Sequence, residues 1–236
     1  MDLLDYQEIA NMQLLSLLSW AKCYNCGQSW YYFCPHCLSK LEIYEGFDYV
    51  TKKPSKLFYS HEIHQDNFPL KQVIVLTHYH QKWIKTLLRH AKFYWKHQAY
   101  KDIILPFWAF FNEHIESTGA FLLPVPLHFL RRWKRGFNQS LKIADILSRV
   151  VDIAVDNKIL YRRKYTKHQS QLSKSERQTM LLSAFYVSKN ISHIPKDTIL
   201  YLVDDVVSSG STLIECAKTL KSSWFTDIRA IVLASD

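Results

Sequence analysis

The chain has 236 residues, 48% of them apolar and 14% aromatic, enough for one sizeable hydrophobic core with a small attachment. Its 30 Lys and Arg outnumber 21 Asp and Glu, and the net charge of +9 favours an anionic partner such as nucleic acid, a polyphosphate metabolite or an acidic membrane surface. No apolar run approaches the roughly 20 residues of a membrane span, and Asp2, Asp5 and Glu8 stand where a secretory signal carries Lys or Arg. A cytoplasmic protein is expected.

Residues 3–20 alternate apolar and polar at helical spacing and lead into CYNCGQSWYYFCPHC. There Cys23, Cys26, Cys34 and Cys37 form two CxxC pairs separated by seven residues. Either pair alone could be a redox dithiol. Two pairs this close instead favour a compact tetrahedral Zn²⁺ site, in which each pair makes a tight turn with both thiolates inward. Four protein ligands leave the metal no open position, so its role would be structural. His36 reads as a bystander, and Tyr31, Tyr32 and Phe33 as packing around the metal core, with base stacking as their alternative use. The organisation expected is a helix and zinc-finger module over residues 1–40 and a larger domain over 41–236.

VIVL at 73–76 predicts a strand, and the next segment a helix. At about 100° per residue, Lys82, Lys85, Arg89, Lys92 and Lys96 fall within an arc of roughly 80°, opposite Ile84, Leu87, Leu88, Ala91, Tyr94 and Trp95. The stripe has no interspersed acids, which suits contact with phosphates. Residues 104–117 read as a buried helix rich in Phe and Trp, and FLLPVPL at 121–127 as a buried strand. Arg131, Arg132, Lys134 and Arg135 then crowd around Gly136. Helical spacing returns over 139–150, residues 158–178 read as a mobile basic loop, and TILYLV at 198–203 is a strand. A helix over 212–221 and a strand over 228–235 close the chain. Strands alternating with helices imply an α/β domain with a mainly parallel sheet.

The stretch LYLVDDVVSSGSTL carries the most specific chemistry. Asp204 and Asp205 stand at the carboxyl edge of a strand, where such sheets bind ligands. The following loop enters a helix whose first N–H groups lack intrahelical partners. Gly210 permits an unusual φ, and Ser208, Ser209, Ser211 and Thr212 add hydroxyl donors, so a phosphate fits there. Carboxylates beside a phosphate would repel it. Their useful targets are hydroxyls or a bound Mg²⁺, and the ligand implied is a phosphorylated polyol such as ribose 5-phosphate.

The same stretch resembles the 5-phosphoribosyl 1-pyrophosphate (PRPP) signature of type I phosphoribosyltransferases. LLPVPLHFLRRWKRGFNQS, the set Thr166, Gln169, Leu172 and Arg177, the pair Ala184–Phe185 and the cysteine-paired N-terminus resemble the ComF family, of the type that serves natural competence. The resemblance spans nearly the whole chain. It implies a phosphoribosyltransferase-like parallel sheet flanked by helices, with a small four-cysteine zinc module. It also implies Asp204 and Asp205 on the ribose hydroxyls, directly or through Mg²⁺, and the 5-phosphate cradled by Val207, Ser208, Ser209, Gly210, Ser211 and Thr212. Arg135, with Asn138 and Gln139, would face the diphosphate, and Arg162, Arg163 and Arg177 would lie on or near a closing loop. Ser208 and Ser209 stand where threonines are common in the family, and Met180 where asparagine is frequent. The function implied is handling of single-stranded DNA during transformation, with Lys82, Lys85, Arg89, Lys92 and Lys96 as its contact. PRPP would be the bound ligand, and other competence proteins at the inner membrane further partners. The alternative is a metabolic phosphoribosyltransferase, for which no acceptor pocket is legible.

Overall fold

Five apolar runs pair side by side in the computed structural model, which describes residues 22–29, 31–32, 34–41, 68–93, 98–127, 136–162, 184–191 and 194–236. Among these residues, the strands of the main sheet are β1 (Gln72–His78), β2 (Ala120–Pro124), β3 (Ala154–Val155), β6 (Ile199–Val207) and β7 (Ile228–Ser235). Their order is β1-β7-β6-β2-β3, every pair parallel. A separate antiparallel pair joins β4 (Leu160–Arg162) to β5 (Phe185–Val187). The helices are α1 (Pro35–Leu38), α2 (Lys82–Phe93), α3 (Gln98–Ile104), α4 (Trp108–His114), α5 (Gln139–Val151) and α6 (Ser211–Lys221). None is long and apolar enough to cross a membrane.

A central parallel strand is covered on both faces, which is why β6 is continuously apolar from 199 to 203 rather than alternating. Its side chains divide between two cores. Ile199, Tyr201 and Val203 pack with Ile74 and Leu76 of β1, Leu87 of α2, Tyr100 of α3 and Leu147 of α5. Leu200 and Leu202 pack on the other side with Val73, Phe185 and, from α6, Leu213 and Cys216. Cys216 is thus a core thiol, raised well above its ordinary value by burial. Cys23, Cys34, Cys37, Leu38 and Leu41 join the first core, so the cysteine-rich segment is docked on the sheet's helical layer.

Three expectations change. The helix read over 104–117 is interrupted by a 3₁₀ turn, Leu105–Phe107, centred on Pro106, whose ring and missing N–H break helical continuity. Beyond it α4 buries only Phe111, while Trp108 is 55% exposed. β6 runs on past 203 to Val207, so both aspartates lie within its last rungs, Asp204 in register with Val232 of β7. The basic segment read as a loop from 158 begins with β4, which Phe185–Val187 pairs; three-residue strands are too short to show a period. The helix read over 3–20 and the remainder of the 158–178 loop beyond Arg162 lie outside the described residues.

At the opposite, amino-terminal edge of the sheet, Arg229 organises an ionic knot. Its Nε and Nη2 donate to the two Asp227 oxygens at 2.9 and 3.1 Å, and Nη2 also reaches Glu116 at 3.0 Å. Burial would raise the Asp227 carboxyl, but hydrogen bonds from Arg229 and Lys71 outweigh it and hold it low. Arg229 is 17% exposed at its side chain and Lys71 56%. Arg229→Met should therefore lower the urea unfolding free energy by roughly 2–4 kcal/mol, and Lys71→Met by less than about 1 kcal/mol. Equal losses would contradict this ranking.

Candidate functional site

The chain leaves β2 toward β3 on one side and leaves β6 toward β7 on the other. Where neighbouring parallel strands send their connections in opposite directions, a crevice opens at their carboxyl ends. Asp204 and Asp205 lie in the last rungs of β6 at that crevice. Asn138, N-terminal to α5, caps that helix: its Oδ1 accepts from Ser140 N at 3.2 Å. Asn138 Nδ2 donates to Val125 O at 3.1 Å, so this one side chain links the residue after β2 to the start of α5. The side chain of Asn138 is thus committed to backbone groups. Neighbouring Gln139 is buried, and its Oε1 has no hydrogen-bond partner among the described residues.

Asp204 Oδ1 accepts from Ser140 Oγ at 2.9 Å and from Asp205 N at 2.9 Å. Burial and the adjacent Asp205 carboxylate raise the Asp204 carboxyl to about 7; those two hydrogen bonds and the charge of Lys92 oppose the rise without cancelling it. The Asp205 side chain is 6% exposed. Its Oδ1 accepts from Val206 N at 2.9 Å. Its Oδ2 lies 2.6 Å from Lys92 Nζ, an ion pair outside hydrogen-bonding angles.

The loop after β6 offers several donors that could serve an anion. Val207 is buried, Ser208 and Ser209 are exposed, and Gly210 sits at φ 68°, a left-handed conformation that a side chain would strain. Gly210 is the N-cap of α6 and has no side chain to cap it; on the first turn Ser211 N makes a long contact of 3.5 Å to Ser209 Oγ. Ser209 Oγ and Ser211 Oγ are 2.7 Å apart, and Thr212 follows half-buried. Hydroxyls and uncapped N–H groups at a helix start are the donor set a phosphate requires.

The four sulfur atoms of Cys23, Cys26, Cys34 and Cys37 all lie within 4.8 Å of one another. Cys26 and Cys34 are 3.5 Å apart, near the edge of about 3.7 Å that a tetrahedron with 2.3 Å metal–sulfur bonds has. Each CxxC makes a tight turn: Gly27 N donates to Cys23 O at 2.9 Å, with Gly27 at φ 79°, and Cys37 N to Cys34 O at 3.0 Å. At Cys23, burial raises the thiol, but backbone N–H groups of Cys26, Cys34 and Asn25 bring it down to about 7. Burial pushes Cys34 up to about 12 and raises Cys37. The cluster could hold a metal such as zinc, whose charge would favour all four thiolates. His36 is exposed and outside it. Tyr31 and Tyr32 pack against the core, and Tyr32 N donates to Asp102 Oδ2 at 2.9 Å, fixing the segment to α3.

On α2, Ile84, Leu87, Leu88 and Ala91 are fully buried while Lys82, Lys85 and Arg89 are exposed, as the helical projection requires. Lys92 departs from the stripe by turning to Asp205. Arg162 lies in β4 with its guanidinium 5.1 Å from the centre of the Phe185 ring. Phe33, Tyr94, Trp95, Lys96, Arg131, Arg132, Lys134, Arg135, Arg163, Thr166, Gln169, Leu172, Arg177 and Met180 lie outside the described residues. Two members of the site escape sequence reasoning: Ser140, signalled only by its place directly after RGFNQ, and Lys92 in its contact with the acidic pair, which no local spacing announces.

A phosphoribosyl transferase domain model matches residues 138–236, a span that starts at the cap of α5 and contains the acidic pair and the serine–glycine loop. The chain is similar to competence protein F of Haemophilus influenzae, with 29% identity over 210 residues, covering 86% of this chain and 84% of that protein. It is also similar to DNA utilization protein YhgH of Escherichia coli K12, with 35% identity over 112 residues, and of Salmonella typhimurium, with 35% over 108 residues. Those matches cover 45% and 44% of this chain, and 48% and 46% of the relatives. The parallel sheet and the domain match together make the fold phosphoribosyltransferase-like, with four cysteines clustered near its N-terminus.

Two outcomes follow from this geometry. The folded value of about 7 for Asp204 exceeds the unfolded carboxylate value of about 3.9. Its contribution to stability is therefore fully present below about pH 4 and lost as pH rises toward 7. Asp204→Asn, neutral throughout, should gain on the parent by on the order of 3 kcal/mol between pH 4 and pH 8 in urea unfolding; a pH-independent difference would contradict the assignment. The cysteine cluster implies about one metal equivalent per chain by elemental analysis, lost in Cys34→Ser together with thermal stability. Full metal content in that variant would exclude the four-sulfur site.

Proposed function

The chain belongs to the ComF family, and from that premise we propose that it binds PRPP with Mg²⁺ in the β2–β6 crevice and handles single-stranded DNA in the cytoplasm during natural transformation. The observation that carries the ligand is the conjunction, at one strand end and the turn after it, of an acidic pair, Asp205 buried and Asp204 half-buried, and a hydroxyl-rich helix start whose N-cap is a glycine. Asp204 and Asp205 receive the ribose hydroxyls, directly or through Mg²⁺; the buried Asp205 Oδ2, which accepts no hydrogen bond, suits either donor. Val207, Ser208, Ser209, Gly210, Ser211 and Thr212 cradle the 5-phosphate. Arg135, which follows β2 in sequence, is the residue assigned to the diphosphate. Bound Mg²⁺ would neutralise that diphosphate.

Cys23, Cys26, Cys34 and Cys37 hold a structural Zn²⁺, and residues 1–40 form a module distinct in composition from the domain of 41–236. The DNA reading draws on the net charge of +9, on the exposed Lys82, Lys85 and Arg89 with Lys96 beyond them, and on the names of the relatives, a competence protein and DNA utilization proteins. The domain match favours a second reading, transfer of ribose 5-phosphate from PRPP to a small base or amine with loss of diphosphate. In that case the residues described supply binding and charge stabilisation, and no protein nucleophile is required.

The test pairs calorimetric titration of Mg²⁺–PRPP with anisotropy of labelled single-stranded DNA across a salt series. The expected result is PRPP binding that Asp204→Ala with Asp205→Ala abolishes without unfolding, and DNA binding that persists near physiological salt and shifts when PRPP is added. Unchanged PRPP affinity in the double variant would refute the site. DNA binding that vanishes near physiological salt and ignores PRPP would favour the transferase reading.

A further inference from the structure

Lys92 occupies a position from which its ammonium can serve two anions. At about 100° per residue it lies about 20° around α2 from Lys85 and about 40° from Leu88, at the border between the exposed and buried faces. Its side chain is 23% exposed, while that of its partner Asp205 is 6% exposed. A buried carboxylate needs a counter-charge, and Lys92 Nζ at 2.6 Å supplies it. Both α2 and α5 pack on the same sheet face, whereas α6 packs on the other. The ammonium therefore belongs to the face that also carries α5, whose start holds Asn138 and Ser140, whereas the helix entered from the serine–glycine loop packs on the other face.

A ribose hydroxyl or divalent cation that engages Asp205 competes with this ammonium, because Oδ2 is the oxygen both would use. A cation arriving there also repels it. Once released, the ammonium needs a new anion within the sweep of a four-carbon side chain. Resting on the ribose-phosphate reading above, we propose that Lys92 is the counter-ion Asp205 gives up on ligand binding, and that the freed ammonium then binds the diphosphate of PRPP. Lys92 is on this account a binding residue that makes the site prefer a diphosphorylated ribose over ribose 5-phosphate, and its companions on the stripe have no part in that preference.

Calorimetry with PRPP and with ribose 5-phosphate, each with Mg²⁺, tests this in the parent, Lys92→Met and Lys92→Arg, with circular dichroism melting to verify folding. Lys92→Met should weaken PRPP by about tenfold or more, the scale of one charge-assisted phosphate contact. Ribose 5-phosphate should bind the same variant as tightly as the parent or more tightly, since the competitor for Asp205 is gone. Lys92→Arg should restore much of the preference for PRPP. Equal weakening of both ligands would mean a merely structural ion pair, and no change in either would mean a bystander; each overturns the proposal. A parent that binds neither ligand would sink the ribose-phosphate reading and this inference with it. Should Lys92→Met fail to fold, Lys92→Gln, a shorter neutral side chain that keeps an N–H donor, carries the same expectations.

Discussion

Two consecutive carboxylates at the end of a buried strand are the constraint on which the site depends. A strand that is apolar through Val203 brings Asp204 and Asp205 to the rim of the sheet, where each must find donors or counter-charge. Asp204 draws a hydroxyl from Ser140 at the start of α5, and Asp205 draws an ammonium from Lys92 near the end of α2. The pair thereby clamps two helices to the same strand end, and the crevice acquires its shape from the groups that satisfy it. Burial, and then the adjacent Asp205 carboxylate, raise Asp204, leaving a site with an unmet demand for positive charge or hydroxyl donors.

The cysteine cluster bears on the same helix. The Tyr24 ring lies 4.6 Å from that of His90, two residues before Lys92, and Tyr32 N is fixed to Asp102 of α3. Cys23, Cys34 and Cys37 share a core with Leu87 and Leu88. A metal that closes the four-sulfur cluster would therefore stiffen the layer that positions Lys92, linking the N-terminal segment to the crevice through packing rather than through shared chemistry. Lys82, Lys85 and Arg89 lie on the exposed face of the same helix.

Much of this was legible in the sequence for identifiable reasons. Buried parallel strands carry uninterrupted apolar runs, as at 230–234, and the α2 face alternates sharply enough to mark Ile84, Leu87, Leu88 and Ala91 as its buried set. Two CxxC pairs at close spacing announced the cluster, because local turns bring the sulfurs together whatever the rest of the fold does. What escaped depends on long-range register or on length. Nothing local told that β6 would carry both aspartates inside its ladder, since pairing with β7 extends the strand past the apolar run. Three-residue strands such as β4 and β5 are too short for a period, and Pro106 was absorbed into an apolar stretch that its ring divides. The contact of Lys92 with Asp205 spans more than a hundred residues, and a stripe of like charges conceals the one member that turns inward.

The account stands or falls on where a ribose phosphate sits. The most direct measurement is a crystal structure of the chain soaked with Mg²⁺ and PRPP. The account requires the 5-phosphate on the amides and hydroxyls of residues 208–212, the ribose hydroxyls or their metal on Asp204 and Asp205, and the Lys92 ammonium withdrawn from Asp205. Ligand density elsewhere on the molecule, or in the crevice with the acidic pair and the serine–glycine loop untouched, would contradict it.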